Sequence, residues 1–345
     1  MILTADQARR TVVFGQTNIT SQQVLGCPSP VLEEFPHYLL LRDHQDDPYG
    51  DNPYTRYLRA SWSCRGPKWK PTPEKLRAQV TRFLRLLRLT RQTQPEGGLV
   101  AIRTRTGQLA LLDGNHRASI ALFLNRDLEI EERSLDDFLT SRVTARLGDA
   151  FYGTGNRGMP YQSICDGDTV LVEGRRVDTV SRMGLIRAED LENKSVLDLG
   201  CNLGGSSFEA AAKGASQTLG LEYNKKLVAA AVQLNTYFRY PSQFFPANLG
   251  LPVPDIGPAT FDTVFCFSLI AHVKDKQELI RTLQTRTKTV LYFEGHSKQT
   301  LANFPFLSQP PFQEPELLGH THDGSHTTTS TRPFFRVSVK GLPDL

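Results

Sequence analysis

Two carboxylates and a glycine-rich turn carry the clearest chemical signal in the sequence. Asp198 lies in a short apolar stretch that breaks into the small residues Gly200 to Gly204, and Glu222 ends another short apolar stretch about 20 residues after the turn. Glycines directly after such a stretch let a ligand approach the backbone closely at the amino end of a helix. A carboxylate at this spacing is suited to accept hydrogen bonds from ribose hydroxyls. The pattern predicts a site for a nucleotide-type cofactor.

Groups suited to proton transfer follow two further apolar stretches. His272 comes after a long stretch that begins at Phe261, and Glu294 and His296 come after the stretch from Lys288 to Phe293. Histidine is the side chain whose ordinary pKa suits proton removal near neutral pH. We therefore predict His272 as a general base, with Glu294 and His296 as the other catalytic candidates. A structural role for His272, as a residue at the start of a helix with its hydrogen bonds satisfied, remains the alternative.

The residues of the turn are those of a known family. The pattern D-x-G-C-N-x-G, followed by a strand that ends in Glu222, resembles the class I S-adenosylmethionine-dependent methyltransferases. The dinucleotide-binding pattern G-x-G-x-x-G fits less well, because Gly200, Asn202 and Gly204 do not follow it. Asn202 stands where that family commonly has its middle glycine, and asparagine also reaches left-handed backbone angles at modest cost.

The resemblance implies S-adenosyl-L-methionine as the cofactor and a set of residues that would contact it. Tyr161 and Arg182 would lie near its methionine part, Tyr223 on the adenine face and Asn248 at the adenine edge. The predicted cofactor-binding residues are Tyr161, Arg182, Asp198, Gly200, Cys201, Asn202, Gly204, Glu222, Tyr223, Asn248 and Ser268.

These residues require strands that end at one crevice. Short apolar stretches alternating with helical segments favour a Rossmann-like α/β sheet in the carboxy-terminal half, mostly parallel, with an antiparallel edge contributed by residues 333–339. Before the glycine turn, residues 169–177 predict a hairpin that turns at Gly174. In such a sheet, ligands bind beyond the carboxyl ends of the strands.

The amino-terminal half predicts a smaller α+β domain. Strands over 99–103 and 109–112 lead to a polar loop at 113–117 and then to a helix over 118–124. This stretch resembles the ParB/sulfiredoxin-like domain, whose members bind nucleotides. The resemblance implies a nucleotide or phosphate site at Asp113, Asn115, His116 and Arg117. The alternative is that Asp113 caps the helix and His116 packs in the loop.

A basic amphipathic helix is predicted from Pro73 to about Thr90, with Thr72 as its N-cap. Its arginines lie largely off the apolar face, which suits either an anionic partner or a solvated surface. Residues 11–14 and 38–41 are strand candidates.

Composition limits the remaining classes. The chain has 345 residues, which predicts two domains. The resemblances imply a ParB-like domain over 1–148 and a methyltransferase domain over 149–345. A net charge of +4 does not by itself favour a nucleic-acid partner, and no apolar stretch is long enough to span a membrane. Five cysteines without CxxC spacing and no signal segment predict a cytoplasmic protein. The histidines at 320–326 match no defined ligand set, so no metal is predicted.

Together these patterns predict an enzyme that transfers a methyl group from S-adenosylmethionine to a small polar acceptor. The resemblance to similar two-domain chains favours a hydroxyl of a sugar, phosphosugar or natural-product intermediate, and an anionic acceptor is compatible with the basic residues. Two alternatives stay open. One is a kinase or nucleotide hydrolase run by the amino-terminal loop, with the methyltransferase domain as a second activity or a cofactor sensor. The other is a nucleic-acid-binding protein that uses the basic helix.

Overall fold

The structure is a computed structural model that describes residues 1–15, 31–63, 71–93, 98–147, 160–174, 176, 179–253, 260–296, 299–322 and 331–340. The chain divides into two compact units. The first comprises Met1–Val143 with Val232–Arg239, and the second comprises Thr144–Ala231 with Tyr240–Leu345. The glycine-rich segment at 152–158 and the predicted boundary at Gly148 lie outside the described residues.

A five-stranded mixed sheet forms the first unit, in the order β1-β5-β3-β4-β2. The predicted hairpin is present, because β3 and β4 pair antiparallel around a turn in which Gly107 has φ of 83°. The strand predicted over 11–14 is present as well. The strands are β1 (Ile2–Leu3), β2 (Val12–Phe14), β3 (Leu99–Arg103), β4 (Leu109–Asp113) and β5 (Leu128–Arg133).

Helices cover this sheet. The predicted basic helix is confirmed, and its N-cap Thr72 accepts a hydrogen bond from the Lys75 N–H at 3.4 Å. The strand predicted over 38–41 is wrong: those residues lie in α2, where Pro36 provides the first position and Tyr38, Leu40 and Leu41 are buried. The helices are α1 (Ala5–Thr11), α2 (Pro36–Asp43), α3 (Pro53–Ser63), α4 (Pro73–Gln92), α5 (Asn115–Phe123) and α6 (Leu135–Phe138). A π-helical segment (Leu139–Thr144) follows α6 and leads to α7 (Ala145–Leu147), which belongs to the second unit.

Seven strands form the sheet of the second unit, in the order β10-β9-β8-β11-β12-β14-β13. The first five are parallel to one another. β14 is antiparallel to β12, and β13 is antiparallel to β14. The order reverses between β8 and β11, which is the position where open α/β sheets bind ligands. The strands of this sheet are β8 (Ser195–Leu199), β9 (Gln217–Glu222), β10 (Ser242–Pro246), β11 (Phe261–Phe267), β12 (Thr287–Glu294), β13 (Glu316–His322) and β14 (Thr331–Ser338). A separate two-stranded sheet is formed by β6 (Ile164–Asp166) and β7 (Thr169–Val172).

Two details of this unit differ from the prediction. The strand from residue 333 is antiparallel but lies inside the sheet as β14, and the edge strand is β13. The small hairpin of β6 and β7 turns at Gly167, whose φ is 58°, and not at Gly174. Gly174 is instead enclosed, because a Cβ there would lie 2.2 Å from the carbonyl carbon of Gln162.

The other helices of the second unit are α8 (Thr179–Gly184), α9 (Gly205–Ala212), α10 (Lys225–Phe238, shared with the first unit by the division above) and α11 (Lys276–Arg286). In the part of the chain that the structure describes, no helix is both long and apolar enough to cross a bilayer.

Aromatic rings surround two histidines in the core of the first unit. The His37 ring lies 4.5 Å from that of His116 between centroids, and both pack against Phe83. The hydroxyl of Tyr54 is hydrogen-bonded to Nε2 of His116 at 2.8 Å. Burial and then the charge of Arg82 lower the pKa of His116 to about 4. Burial also lowers the pKa of His37 well below its ordinary value.

The histidine pair makes this unit sensitive to acid. An unfolded histidine takes up its proton near pH 6.5, whereas folded His116 does so only near pH 4, so stability falls as the pH drops below 6.5. We expect His116→Gln to reduce the loss of unfolding free energy between pH 7 and pH 5 by about 1 to 2 kcal/mol. Chemical denaturation at both pH values measures this, with His44→Gln as the matched control. Equal pH dependence in wild type and His116→Gln would contradict the assignment.

Candidate active site

The glycine-rich turn after β8 adopts left-handed backbone angles at three positions. Gly200 has φ of 76°, Asn202 of 54° and Gly204 of 83°, so asparagine takes this conformation where the sequence analysis expected it. A Cβ at Gly200 would lie 2.9 Å from Cδ1 of Leu269, so a side chain there would force Leu269 to shift and would be strained by the positive φ. The turn therefore presents bare backbone at the point where the strand order reverses.

Glu222 ends β9 and links the two loops that would hold the cofactor. Its carboxylate accepts hydrogen bonds from the Asn202 N–H at 3.1 Å and from the Asn224 N–H at 2.8 Å. Burial raises the pKa of Glu222, and these backbone hydrogen bonds oppose that effect. A carboxylate has about four lone-pair sites, so Glu222 keeps acceptor capacity for a hydroxyl donor of a ligand.

Asp198 lies beneath the turn within β8. It is buried and accepts a hydrogen bond from the hydroxyl of Ser207 at 2.7 Å, in the first turns of α9. Burial raises the pKa of Asp198 to about 6, although the Ser207 bond and the charge of Arg182 lower it. The carboxylate thus ties the strand to the helix that begins at Gly205.

The residues present fit the predicted cofactor. Oδ1 of Asn202 is buried and has no hydrogen-bond partner among the described residues, as expected for a group that meets a polar ligand. Three features meet at this turn: the bare backbone at Gly200, the amide oxygen of Asn202 and the carboxylate of Glu222. Such a combination suits a ribose with its attached base and sulfonium.

The side chain of Arg182, which lies in α8, reaches the amino end of α9. Its Nη2 donates to the Ser206 hydroxyl at 2.9 Å, and its guanidinium lies 4.6 Å from the centre of the Phe267 ring. The side chain is fully buried, and Nη1 lies 3.6 Å from Oε2 of Glu294.

Glu294 is not positioned for the predicted catalytic role. Its side chain is fully buried and receives two hydrogen bonds from Arg176, at 2.8 and 2.6 Å. The hydroxyls of Ser268 and Thr321 also donate to it. Burial alone would raise the pKa of Glu294, but the charges of Arg182 and Arg176 outweigh it and lower the pKa to about 2. A carboxylate held in this way is a poor base and has no access to an acceptor.

Three residues of this network were not predicted. Arg176 is fully buried, Thr321 lies on β13, and Arg332 donates to Ser268 and, at 2.8 Å, to the hydroxyl of Tyr161. Arg176 follows β7, Thr321 lies near the end of β13 and Arg332 lies near the start of β14, and for the two arginines an isolated arginine beside a short strand was the available signal. Tyr161 was predicted to lie near the cofactor. Ser268, which directly follows β11, is buried and faces Glu294 rather than open solvent.

The two histidine candidates are brought together. The rings of His272 and His296 lie 5.4 Å apart between centroids in an edge-to-face arrangement. His272 is exposed and His296 is half-buried. The strand β11 ends at Phe267, five residues before His272, because Ser268 has φ of 52° and begins a turn. The His272 N–H bonds the Leu269 carbonyl at 2.8 Å within that turn.

The other predicted cofactor residues differ in exposure. Tyr223 is 70% exposed, which leaves its ring open to a ligand. Asn248 is exposed, and its side chain accepts a hydrogen bond from the Gly250 N–H at 3.1 Å. Cys201 is buried, and burial raises the pKa of its thiol.

In the first unit, the predicted phosphate loop has a mixed geometry. Gly114 is the N-cap of α5 with φ of 96° and no side-chain cap. Asp113 accepts from the Gly114 N–H at 2.6 Å and lies 3.9 Å from Arg117, while Oδ1 of Asn115 is buried without a partner in the described residues. His116 faces the aromatic cluster, so it is a packing residue rather than a ligand.

The histidine-rich tail falls only partly within the described residues. His320 and His322 lie on β13, whereas Asp323 and His326 lie outside. Among the residues described, no group of three His, Cys, Asp or Glu side chains is arranged to hold a metal ion.

The comparisons with known proteins address the second unit. Residues 197–289, from within β8 to within β12, match the family model described as a methyltransferase domain. The match covers less than half of the chain and none of residues 1–148, so the ParB-like domain stays a prediction.

Solved structures similar to the chain include several methyltransferases. Magnesium protoporphyrin IX methyltransferase from Synechocystis PCC 6803 with bound SAM is 20% identical, with 47% of this chain and 78% of that chain covered and a TM-score of 0.38. The amino-terminal domain of EvdMO1 with SAH and D-fucose is 16% identical, with 52% and 90% covered and a TM-score of 0.41. YcgJ from Bacillus subtilis is 12% identical, with 48% and 100% covered and a TM-score of 0.39. Similarity at this level carries no information on substrate.

The family match and the geometry of the turn agree on the class of protein. The second unit contains a methyltransferase domain on a Rossmann-like sheet, and S-adenosylmethionine is its cofactor. This confirms the predicted cofactor and the coarse activity, while the acceptor is a matter for proposal.

The buried ion pair generates a test of stability. Glu294→Gln would leave Arg176 and Arg182 buried without their carboxylate, so we expect a loss of roughly 3 to 5 kcal/mol in unfolding free energy. The matched control is Glu316→Gln, which removes a surface pair with Arg187 and should cost less than about 1 kcal/mol. Chemical denaturation at pH 7 compares the two. Equal losses would show that the Glu294 network does not stabilise the unit.

Proposed function

We propose that the second unit transfers a methyl group from S-adenosylmethionine to a hydroxyl of a small polar acceptor, with His272 as general base. The observation that carries this is the His272–His296 pair at the carboxyl ends of neighbouring strands β11 and β12. These are the strand ends at which ligands bind in an open parallel sheet.

Leu269 links the histidine pair to the cofactor turn. Its side chain would contact a Cβ at Gly200, and its carbonyl accepts from the His272 N–H, so one short turn touches both features. An acceptor that meets His272 would therefore lie close to the glycine turn. This adjacency supports His272 over His296 as the base.

The surroundings of each residue indicate its role in the reaction. When bound, the cofactor supplies a sulfonium whose methyl group is open to in-line attack. His272, exposed and next to the crevice, takes the proton of the attacking hydroxyl. His296 packs edge-on against the His272 ring and restricts its orientation, while Glu294 acts at a distance as a positioning residue through Ser268 and the arginines.

The proposal of an oxygen acceptor rests on the presence of such a base. A hydroxyl becomes a better nucleophile when its proton is removed as it attacks, and the two imidazoles at the crevice can take that proton. A sugar, a phosphosugar or a hydroxylated natural-product intermediate fits this chemistry, as the sequence resemblance suggested.

Replacement of the base separates chemistry from binding. We expect His272→Ala to lower the methyl-transfer rate by about 10² to 10⁴, with little change in cofactor affinity. Radiolabelled methyl transfer to a panel of hydroxylated acceptors over a pH series measures the rate, and calorimetry with S-adenosylhomocysteine measures affinity. His296→Ala should reduce the rate less, and His320→Ala, away from this pair on β13, is the control. If His296→Ala alone removed the rise of rate with pH, the base would be His296.

A second candidate function concerns the first unit. We infer that the amino end of α5 binds the phosphate of a nucleotide, because its N-cap Gly114 leaves the first N–H groups uncapped by a side chain and two arginines lie close by. Arg117 lies in the first turn of α5 itself. Arg82 of α4 is near enough for its charge to lower the pKa of His116.

A ligand screen tests this second function. ATP, CTP and inorganic phosphate should raise the melting temperature of the full chain, and Arg117→Ala should abolish the shift while leaving that of S-adenosylhomocysteine unchanged. Arg103→Ala, which removes a surface pair with Glu132, is the matched control. If none of the three ligands shifts the melting temperature, the loop has only a structural role.

A further inference from the structure

The exposed side of α4 carries a dense cluster of positive charge. The helix carries six basic residues and one acidic residue, Glu74, whereas the whole chain has a net charge of only +4. All six basic side chains are exposed. We call them the α4 basic face: Lys75, Arg77, Arg82, Arg85, Arg88 and Arg91.

Most of these charges are not compensated by neighbours. Arg77 lies over the Tyr49 ring at 5.1 Å, but Arg82, Arg85, Arg88 and Arg91 make no ion pair with any described residue. Other arginines of this unit do: Arg56 and Arg59, for example, share Asp51. The α4 basic face therefore keeps its full charge toward solvent.

The spacing of the arginines produces a continuous line. Arg82, Arg85, Arg88 and Arg91 recur every third residue, so each is a neighbour of the next on the helix surface. The line crosses the exposed side over about 13 Å of helix axis. Like charges at this spacing repel each other and cost a few tenths of a kcal/mol per pair in the free protein. A polyanion laid along the line would remove that repulsion.

The opposite side of the helix limits the kind of polyanion. Its apolar stripe of Leu76, Val80, Phe83 and Leu87 is buried in the unit's own core. A helix that inserts into a bilayer must offer such a stripe to the lipid, and here it is already used. Leu89, 51% exposed, is the one large apolar side chain left on the described helix surface. The arrangement favours binding by charge and hydrogen bonds.

The residue type points to phosphate. Five of the six basic residues are arginines, whose planar guanidinium makes paired hydrogen bonds to phosphate oxygens. At one end of the line of four arginines, positive charge extends from Arg82 toward Arg117 at the amino end of α5, because the charges of both arginines lower the pKa of His116. We propose that the α4 basic face binds the phosphodiester backbone of a nucleic acid. The mild net charge of the chain had argued against such a partner, but local density of charge decides backbone binding.

The proposal concerns the first unit and is tested independently of methyl transfer. Fluorescence anisotropy with a labelled 20-nucleotide RNA and DNA, each single- and double-stranded, measures binding by the full chain from 50 to 200 mM salt. We expect affinity to fall with salt as a log–log line of slope about −3 to −4, for four to five phosphate contacts. The triple variant Arg85→Gln, Arg88→Gln, Arg91→Gln should reduce that slope by about three.

The control removes the same charge elsewhere. Arg10→Gln, Lys276→Gln and Lys340→Gln replace three exposed basic residues off the helix and should leave affinity within about twofold. Equal loss of affinity in both triple variants, or no binding to any of the four oligonucleotides at 50 mM salt, would overturn the proposal. Binding to phosphatidylserine vesicles, lost in the α4 variant, without binding to oligonucleotides would also overturn it and assign the face to a membrane. Circular dichroism confirms that both variants fold.

Discussion

The buried pair of Arg176 and Glu294 is the interaction on which the crevice of the second unit depends. It joins the carboxyl end of β12 to the chain after β7, and through Ser268 and Thr321 it reaches β11 and β13. Removing two charges from water is costly, and only the complete set of hydrogen bonds offsets that cost. The strand ends around the cofactor turn are therefore held in one arrangement by a network that works as a whole.

Local patterns predicted the backbone of this site well. The glycine turn and the carboxylate of Glu222 depend on short-range requirements, namely bare backbone at Gly200 and a strand ending in an acceptor, and both are present as expected. Even the left-handed Asn202 could be anticipated, because asparagine tolerates that conformation. These features are encoded within a few residues of each other.

Features that depend on residues far apart in the chain could not be predicted from the sequence. Glu294 stood at a strand end and looked like a catalytic carboxylate, but its role is decided by Arg176, 118 residues away along the chain. His116 likewise had the composition of a ligand site, and its surroundings of Tyr54, His37 and Phe83 come from three helices far from it in sequence. The error over 38–41 has the same origin, since a buried apolar run fits a strand or a helix until its neighbours are known.

Glu222 has a consequence for the thermodynamics of cofactor capture. Because its carboxylate already fastens the N–H groups of Asn202 and Asn224, the two loops that flank the ligand are cross-linked before any ligand arrives. The entropy of ordering these loops is lost when the chain folds and not again on association. Affinity in such a pocket is set by the contacts themselves, so the enzyme can accept and release its cofactor repeatedly without rebuilding the pocket in each turnover.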